Sequence, residues 1–187
     1  MAVTTLDPKT ALIVIDLQRG IIARETAHPI PGVVKNSVAL LAAFRKRRLP
    51  VVLVNVTGGA PGRNEGPKMP PSFPAEFAEL IPELKQQPSD HRVTKRTWGA
   101  FTNTDLDAWL KKNHVTQVVI CGIATSIGVE STARFAQEFG FNVTLATDAM
   151  TDMSMDAHEN SVKRIFPRLG ETGLTAEIVA LLEKGNG

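Results

Sequence analysis

Residues 119–134 read VICGIATSIGVESTAR. An apolar run ends in a turn of small residues, and helical spacing begins directly after it. Strand, tight turn and helix form the repeating unit of parallel α/β sheets, and such turns lie where those sheets bind ligands. Working outward, the unit recurs. ALIVID (11–16) is a continuous apolar run of the kind buried on both faces of a sheet. PVVLVNV (50–56), HRVTK (91–95), Gln117–Cys121 and FNVTLAT (141–147) read as four more strands. Helical spacing covers 34–48, 104–113, about 126–138, 155–166 and 174–184, with Gly140 as a stop for the third of these. GGAPGRNEGPKMPPSFP (58–74) is a long Gly- and Pro-rich loop, a length often used for lids and binding segments. Strands alternating with helices predict a three-layer, doubly wound α/β sandwich with a mostly parallel, Rossmann-like sheet.

The bulk properties bound the function. A chain of 187 residues suits one domain, residues 1–187, with a full core. The net charge of +2 is too small and dispersed to argue for nucleic acid. Its densest basic run, Arg45 to Arg48, ends a helical pattern, where cations complement the helix dipole. One cysteine excludes a disulfide framework and suits a reducing compartment. There is neither a signal-peptide pattern at the N-terminus nor an apolar stretch of ~20 residues, so no membrane is expected and a cytoplasmic location is.

Ligands of a doubly wound sheet bind at the strand C-termini, so the polar residues there are the candidates. Asp16 follows five apolar residues, a costly place for a carboxylate that is neither paired nor working; it could also simply start a turn. Lys95 ends the third strand. On residue type alone a surface lysine is the commoner case, but beside Asp16 it would hold that carboxylate ionised and polarise a substrate oxygen. Trp98 and Phe101 follow and could wall a pocket or pack in the core. In the quoted turn, Gly122, Ala124 and Gly128 let backbone amides approach a ligand at a helix N-terminus, although small residues also serve tight strand–helix packing. No phosphate-binding glycine motif, nucleophile elbow, CxxC or paired-histidine motif is present, so no coenzyme or metal is called for.

Asp16 in VIDLQ, Lys95 in TKRTWGAFTNTDL and the turn GIATSIGVESTA together resemble the isochorismatase-like hydrolase superfamily. The similarity continues through GFNVTLATDAMTD and HENSVKRIFPRLGETGLTAEIVALL. It implies a six-stranded parallel sheet flanked by helices, and a homo-oligomer, dimer or higher. Most members are cysteine hydrolases of amides with an Asp, Lys and Cys triad. The resemblance puts Asp16 and Lys95 in that triad, with Gly128 where the cysteine would stand. Cys121 lies seven residues upstream on the strand. True isochorismatases also carry glycine there and hydrolyse a vinyl ether by carbon protonation, a reaction that needs no thiol. The resemblance further implies a non-proline cis peptide at Ile123–Ala124; the candidates for contact with a small-molecule substrate are Gln18, Arg63, Trp98, Phe101, Ile123, Ala124 and Thr125.

Two departures stand out. Isochorismatases carry a glutamine after the second strand, whereas TGGAPGR has Gly59 there, with Arg63 able to meet a carboxylate. Zinc-binding nicotinamidases have an Asp and two His after that strand, and NVTGGAPGRN has none, so no metal is expected. Three readings follow: an enzyme using Asp16 and Lys95 without covalent catalysis on a small anionic substrate; an amide hydrolase with a substitute nucleophile; or a binding protein that has lost turnover. Ser126 is the nearest substitute, but it is two residues from the expected place, roughly 200° around a helix.

Overall fold

The computed structural model describes residues 3–66 and 73–184. Six strands form one sheet: β1 (Thr10–Ile15), β2 (Val51–Val56), β3 (His91–Lys95), β4 (Gln117–Ile123), β5 (Asn142–Thr151) and β6 (Glu171–Gly173). Their order is β3-β2-β1-β4-β5-β6, and every pairing is parallel. The chain winds outward from β1 to β3, then restarts at β4 on the other side of β1. The order therefore reverses between β1 and β4, where an open parallel sheet leaves a crevice.

Alternation along the strands builds two apolar layers. Ala11, Ile13 and Ile15 of β1, with Val52, Val54, Val118 and Ile120, face α3 (Leu106–Lys112) and α4 (Glu130–Glu138). Leu12 and Val14, with Leu53, Val119 and Cys121, face α2 (Ile30–Lys46) and α7 (Thr175–Lys184). Burial on both faces is what the unbroken apolar runs require. The remaining helices are short: α1 (Arg19–Ile22), α5 (Met155–Asn160) and α6 (Phe166–Leu169).

Several elements differ from the sequence reading. α2 starts four residues earlier than 34, with Pro31 in its first turn, where a missing N–H costs nothing. The fourth strand runs on to Ile123, and the helix after it opens with a π-helical turn at Thr125–Val129 before α4 begins at Glu130. The helix read at 155–166 is α5, a second π-helical turn at Ser161–Ile165, and α6. β5 continues to Thr151 across an irregular register against β4. β6 has only three residues, too few for a pattern. Part of the 58–74 loop, residues 67–72, lies outside the described residues.

Candidate active site

β1 ends at Ile15, and Asp16 turns out of the strand with φ +50°, a left-handed conformation that non-glycine residues seldom adopt. Its amide still donates to the Val54 carbonyl at 3.0 Å, so the strained residue is pinned to the sheet. Strain of this kind persists only where the surroundings enforce it, and it clusters at functional positions. Lys95 is the last residue of β3, two strands away, and its side chain reaches back over the end of β2. Lys95 Nζ lies 2.8 Å from Asp16 Oδ2, with the two side chains 1% and 7% exposed. Nζ also donates to the Trp98 carbonyl at 2.6 Å. The lysine is thus held from two sides, and Asp16 Oδ1 is left buried without a hydrogen-bond partner among the described residues.

Two influences act on the Asp16 carboxyl in opposite directions. Burial disfavours the charged form, and the Lys95 ammonium favours it. Burial is the larger, and the carboxyl is pushed up to about 6. An acid raised this far exchanges its proton near neutral pH.

The turn after β4 closes the third side. Gly122, with φ +116°, sits where any side chain would strike the Ile15 backbone. The Ile123–Ala124 peptide is cis. Gly128 follows inside the π-helical turn, and its φ is not in the left-handed region, so conformation does not require glycine there. Space does. A Cβ at position 128 would lie 2.9 Å from Ile15 Cγ2, 3.1 Å from Lys95 Nζ and 3.3 Å from Asp16 Oδ2. Position 128 therefore looks directly onto the acid and the ammonium, and it presents no side chain to them.

Asp16, Lys95, Gly128, Ile123, Ala124, Trp98 and Arg63 line one cavity of about 460 Å³. Its walls also include Ile21, Val56, Phe77, Ile127 and Met153, Gly58 to Ala60, Gly62, Asn64 and Thr97, and the exposed Arg24. Trp98 remains 62% exposed. Three sequence candidates lie elsewhere. Gln18 is fully buried and spends its amide on backbone: Nε2 donates to the Val56 and Phe77 carbonyls at 3.0 and 2.9 Å, and Oε1 accepts from Val56 N–H at 2.7 Å. It ties the two ends of the long loop to the end of β1. Phe101 packs in the core against Phe139 and Phe141. Thr125 is buried, its hydroxyl sharing a 2.8 Å hydrogen bond with His158 Nδ1.

Sequence reasoning missed Arg24, Phe77 and Met153. Arg24 follows α1, a helix of only four residues, too short for a periodic signal. Phe77 lies flat over Gly20, whose absent side chain makes room for the ring, and no local pattern announces a contact so far apart in sequence.

The substitute nucleophiles are otherwise occupied. Ser126 N–H and Oγ both donate to Asp152 Oδ2, at 2.7 and 2.8 Å, and Ser126 does not line the cavity. The amide at the start of that turn is thereby committed to an internal carboxylate. Cys121 faces the α2 side of the sheet, and burial pushes its thiol up to about 12, so no thiolate is accessible there. Among the described residues no three His, Cys, Asp or Glu side chains gather as a metal site, and no helix is long and apolar enough to cross a membrane.

Comparison with known proteins matches residues 10–177 to the family described as Isochorismatase domain. An uncharacterized isochorismatase family protein, YwoC, from Bacillus subtilis (strain 168) is 42% identical over 178 residues, 91% of this chain and 93% of that protein. A second, YecD from Escherichia coli O157:H7, is 41% identical over 92% of this chain and 96% of its own length. The solved structure of an isochorismatase family protein from Burkholderia thailandensis superposes with a TM-score of 0.92 at 41% identity, covering 96% of this chain and 98% of that one.

Proposed function

From the premise that this chain belongs to the isochorismatase family of hydrolases, we propose that it cleaves a small vinyl ether by acid catalysis, without a covalent intermediate. The observation that carries this reading is Gly128, a position 3.3 Å in Cβ terms from Asp16 Oδ2 that offers no nucleophile while the acid and lysine are both kept. Covalent amide hydrolysis needs an activated nucleophile at that place. Protonation of an enol-ether carbon needs only a positioned acid of suitable pKa.

Asp16 in its neutral form gives its proton from Oδ1, the oxygen that Lys95 does not hold, to the β-carbon of the vinyl ether. The oxygen-bearing carbon becomes an oxocarbenium ion, which the newly formed Asp16 carboxylate stabilises. Water adds to that carbon and loses a proton, and the hemiketal collapses to an alcohol and a ketone. The net change consumes one water. Lys95 keeps Asp16 oriented, and the apolar walls from Ile123, Ile127, Phe77 and Met153 exclude solvent and favour the neutral acid.

The test is to incubate the protein with isochorismate, beside an amide panel that includes nicotinamide, and to follow products by NMR with Asp16→Asn as control. The expected result is release of pyruvate and the dihydroxy-diene acid from isochorismate, lost in Asp16→Asn. Amide cleavage with isochorismate untouched would overturn the reading.

A further inference from the structure

Three of the segments that line the cavity are tied together by residues that do not line it. The segments are α1 with the stretch after it, the turn after β4, and the end of β5 with Met153. Ala27 N–H donates to the Asp152 carbonyl at 2.8 Å and His28 N–H to Thr151 Oγ1 at 3.0 Å, which fastens the stretch after α1 to the end of β5. His28 Nδ1 shares a further hydrogen bond with Thr151 Oγ1 at 3.1 Å. The turn is fastened twice. Ser126 donates to Asp152 from N–H and Oγ, and Thr125 Oγ1 shares its 2.8 Å hydrogen bond with Nδ1 of His158 on α5. Thr125 is fully buried and His158 is buried, so water competes little for that second fastening. His28 and His158 meet edge to face, with ring centroids 4.6 Å apart.

Two imidazoles this close resist carrying two charges. Burial, with His28 beside it, holds the His158 imidazole below its ordinary 6.5, against the pull of Asp152 at the end of β5 and of Glu159 on its own helix. Both carboxylates are already committed, Asp152 to Ser126 and the Ser154 N–H, and Glu159 to Lys163. Glu130, the acid that follows the turn, is held by Arg134 and Ser161. The clustered arrangement therefore keeps His158 neutral, and a His158 that separates from it takes up a proton. Acid favours the separated form. We infer that His158 is a positioning residue of the site: it holds the turn through Thr125, and beside His28 it releases that hold in mild acid, loosening the wall that carries Ala124, Ile127, Gly128 and Met153. The device acts on the wall and not on the reacting groups, so it goes beyond the vinyl-ether reading and is indifferent to which bond the site cleaves. For catalysis it adds a loss on the acid side to the falling limb that Asp16 sets above about 6.

Hydrogen exchange of the 123–130 segment, read by mass spectrometry with exchange times scaled for the intrinsic pH dependence, follows the hold without any substrate. In the parent, protection of this segment should fall about tenfold between about pH 7.5 and about pH 5, the span that crosses the ordinary imidazole value. Imidazole NMR should place the His158 titration at the midpoint of that fall. His158→Asn keeps a hydrogen-bonding atom near the place of Nδ1 and carries no charge, so protection should persist and lose its pH dependence. His158→Ala should lose protection at every pH, and His28→Asn should shrink the fall. Asp16 titrates in the same range, at about 6; Asp16→Asn is therefore the control, and it should keep the fall. Protection in the parent that does not change with pH, a midpoint away from the His158 titration, or a fall of parental size in His158→Asn would overturn the inference. The comparison of midpoints uses the parent protein alone, so it decides the matter even where a substitution unfolds the chain. A flat exchange profile leaves isochorismate cleavage and its loss in Asp16→Asn unaffected, and failure of that cleavage leaves the exchange profile intact.

Discussion

Removing the charge of Lys95 separates the two influences on Asp16. In the parent protein burial raises the carboxyl to about 6 while the ammonium, 2.8 Å away, pulls it down. An opposite charge at such range lowers a carboxyl by about 1–3 pH units. Lys95→Met keeps an unbranched side chain one atom shorter and discards the charge, so the Asp16 titration should move upward by about that amount. Two assays read it: carboxyl NMR on isotope-labelled aspartate, which needs no substrate, and the pH dependence of kcat/KM for vinyl-ether cleavage. On the proposed mechanism a neutral Asp16 is the active form, roughly half populated at pH 6 and one-tenth at pH 7, so the rate should fall about tenfold per pH unit above 6. In Lys95→Met the falling limb should start at higher pH. The substitution also leaves the Trp98 carbonyl without its donor, at a cost of about 1–3 kcal/mol. Lys95→Gln, which retains an N–H donor, is therefore titrated beside it. A rate that rises with pH above 6 would make Asp16 a base, and a limb that moves downward in both variants would refute the account of its pKa.

Three further outcomes follow from the same geometry. Gly128→Ala puts a methyl group 2.9 Å from Ile15 Cγ2 and 3.3 Å from Asp16 Oδ2; it should lower thermal stability by about 1–3 kcal/mol and cut turnover at least about tenfold by filling the reaction space. Gln18→Met leaves the Val56 N–H and the Val56 and Phe77 carbonyls without their side-chain partner; limited proteolysis should then cut the 57–76 loop faster, with a stability loss of about 2–4 kcal/mol. Ser126→Ala and Cys121→Ala, each measured by turnover on isochorismate, should retain activity within about twofold, since neither residue reaches the cavity.

Asp16 also makes the stability of the fold depend on pH, with a definite sign. Its folded-state value, about 6, is above the ordinary 3.8. Between those values the folded protein holds a proton that the unfolded chain has released. The contribution of this group is therefore greatest below pH 4 and is lost as pH rises through 6. Denaturant midpoints compared between the parent and Asp16→Asn across that window isolate it.

The sheet was legible because burial on both faces writes itself as unbroken apolar runs, and ALIVID, VVLVNV and QVVICGI each do so. β6 escaped because three residues carry no period, and α1 because four residues make one turn. The π-helical turn at Thr125–Val129 has no propensity signature at all. Among site residues, those at strand ends were reachable from the topology rule: Asp16, Lys95 and, from the turn, Ile123, Ala124, Ile127 and Gly128 line one crevice. Gln18, Phe101 and Thr125 show the limit of reading proximity in sequence as proximity in function. Each is within a few residues of the cavity lining, yet strand and turn geometry points its side chain into loop backbone, core aromatics and His158 respectively. Arg24 shows the converse, since its place depends on how the segment after β1 folds back over the crevice.

What the sequence left balanced was whether a lysine beside an acid would keep that acid charged and so useless as a proton donor. The geometry answers through the two oxygens of Asp16. An ammonium only donates, so Oδ2 accepts from Lys95, and a proton on that oxygen would weaken the pairing. Oδ1 has no partner among the described residues and is buried. A buried oxygen without a donor is where a negative charge is least tolerated, so burial acts most strongly on the oxygen that the lysine does not serve. The lysine then directs the proton without preventing it: it favours protonation on Oδ1, while desolvation pushes the carboxyl up to about 6. The absence of a side chain at Gly128 completes this arrangement, because a thiolate carried on a Cβ 3.3 Å from Asp16 Oδ2 would add a second negative charge and require the opposite balance.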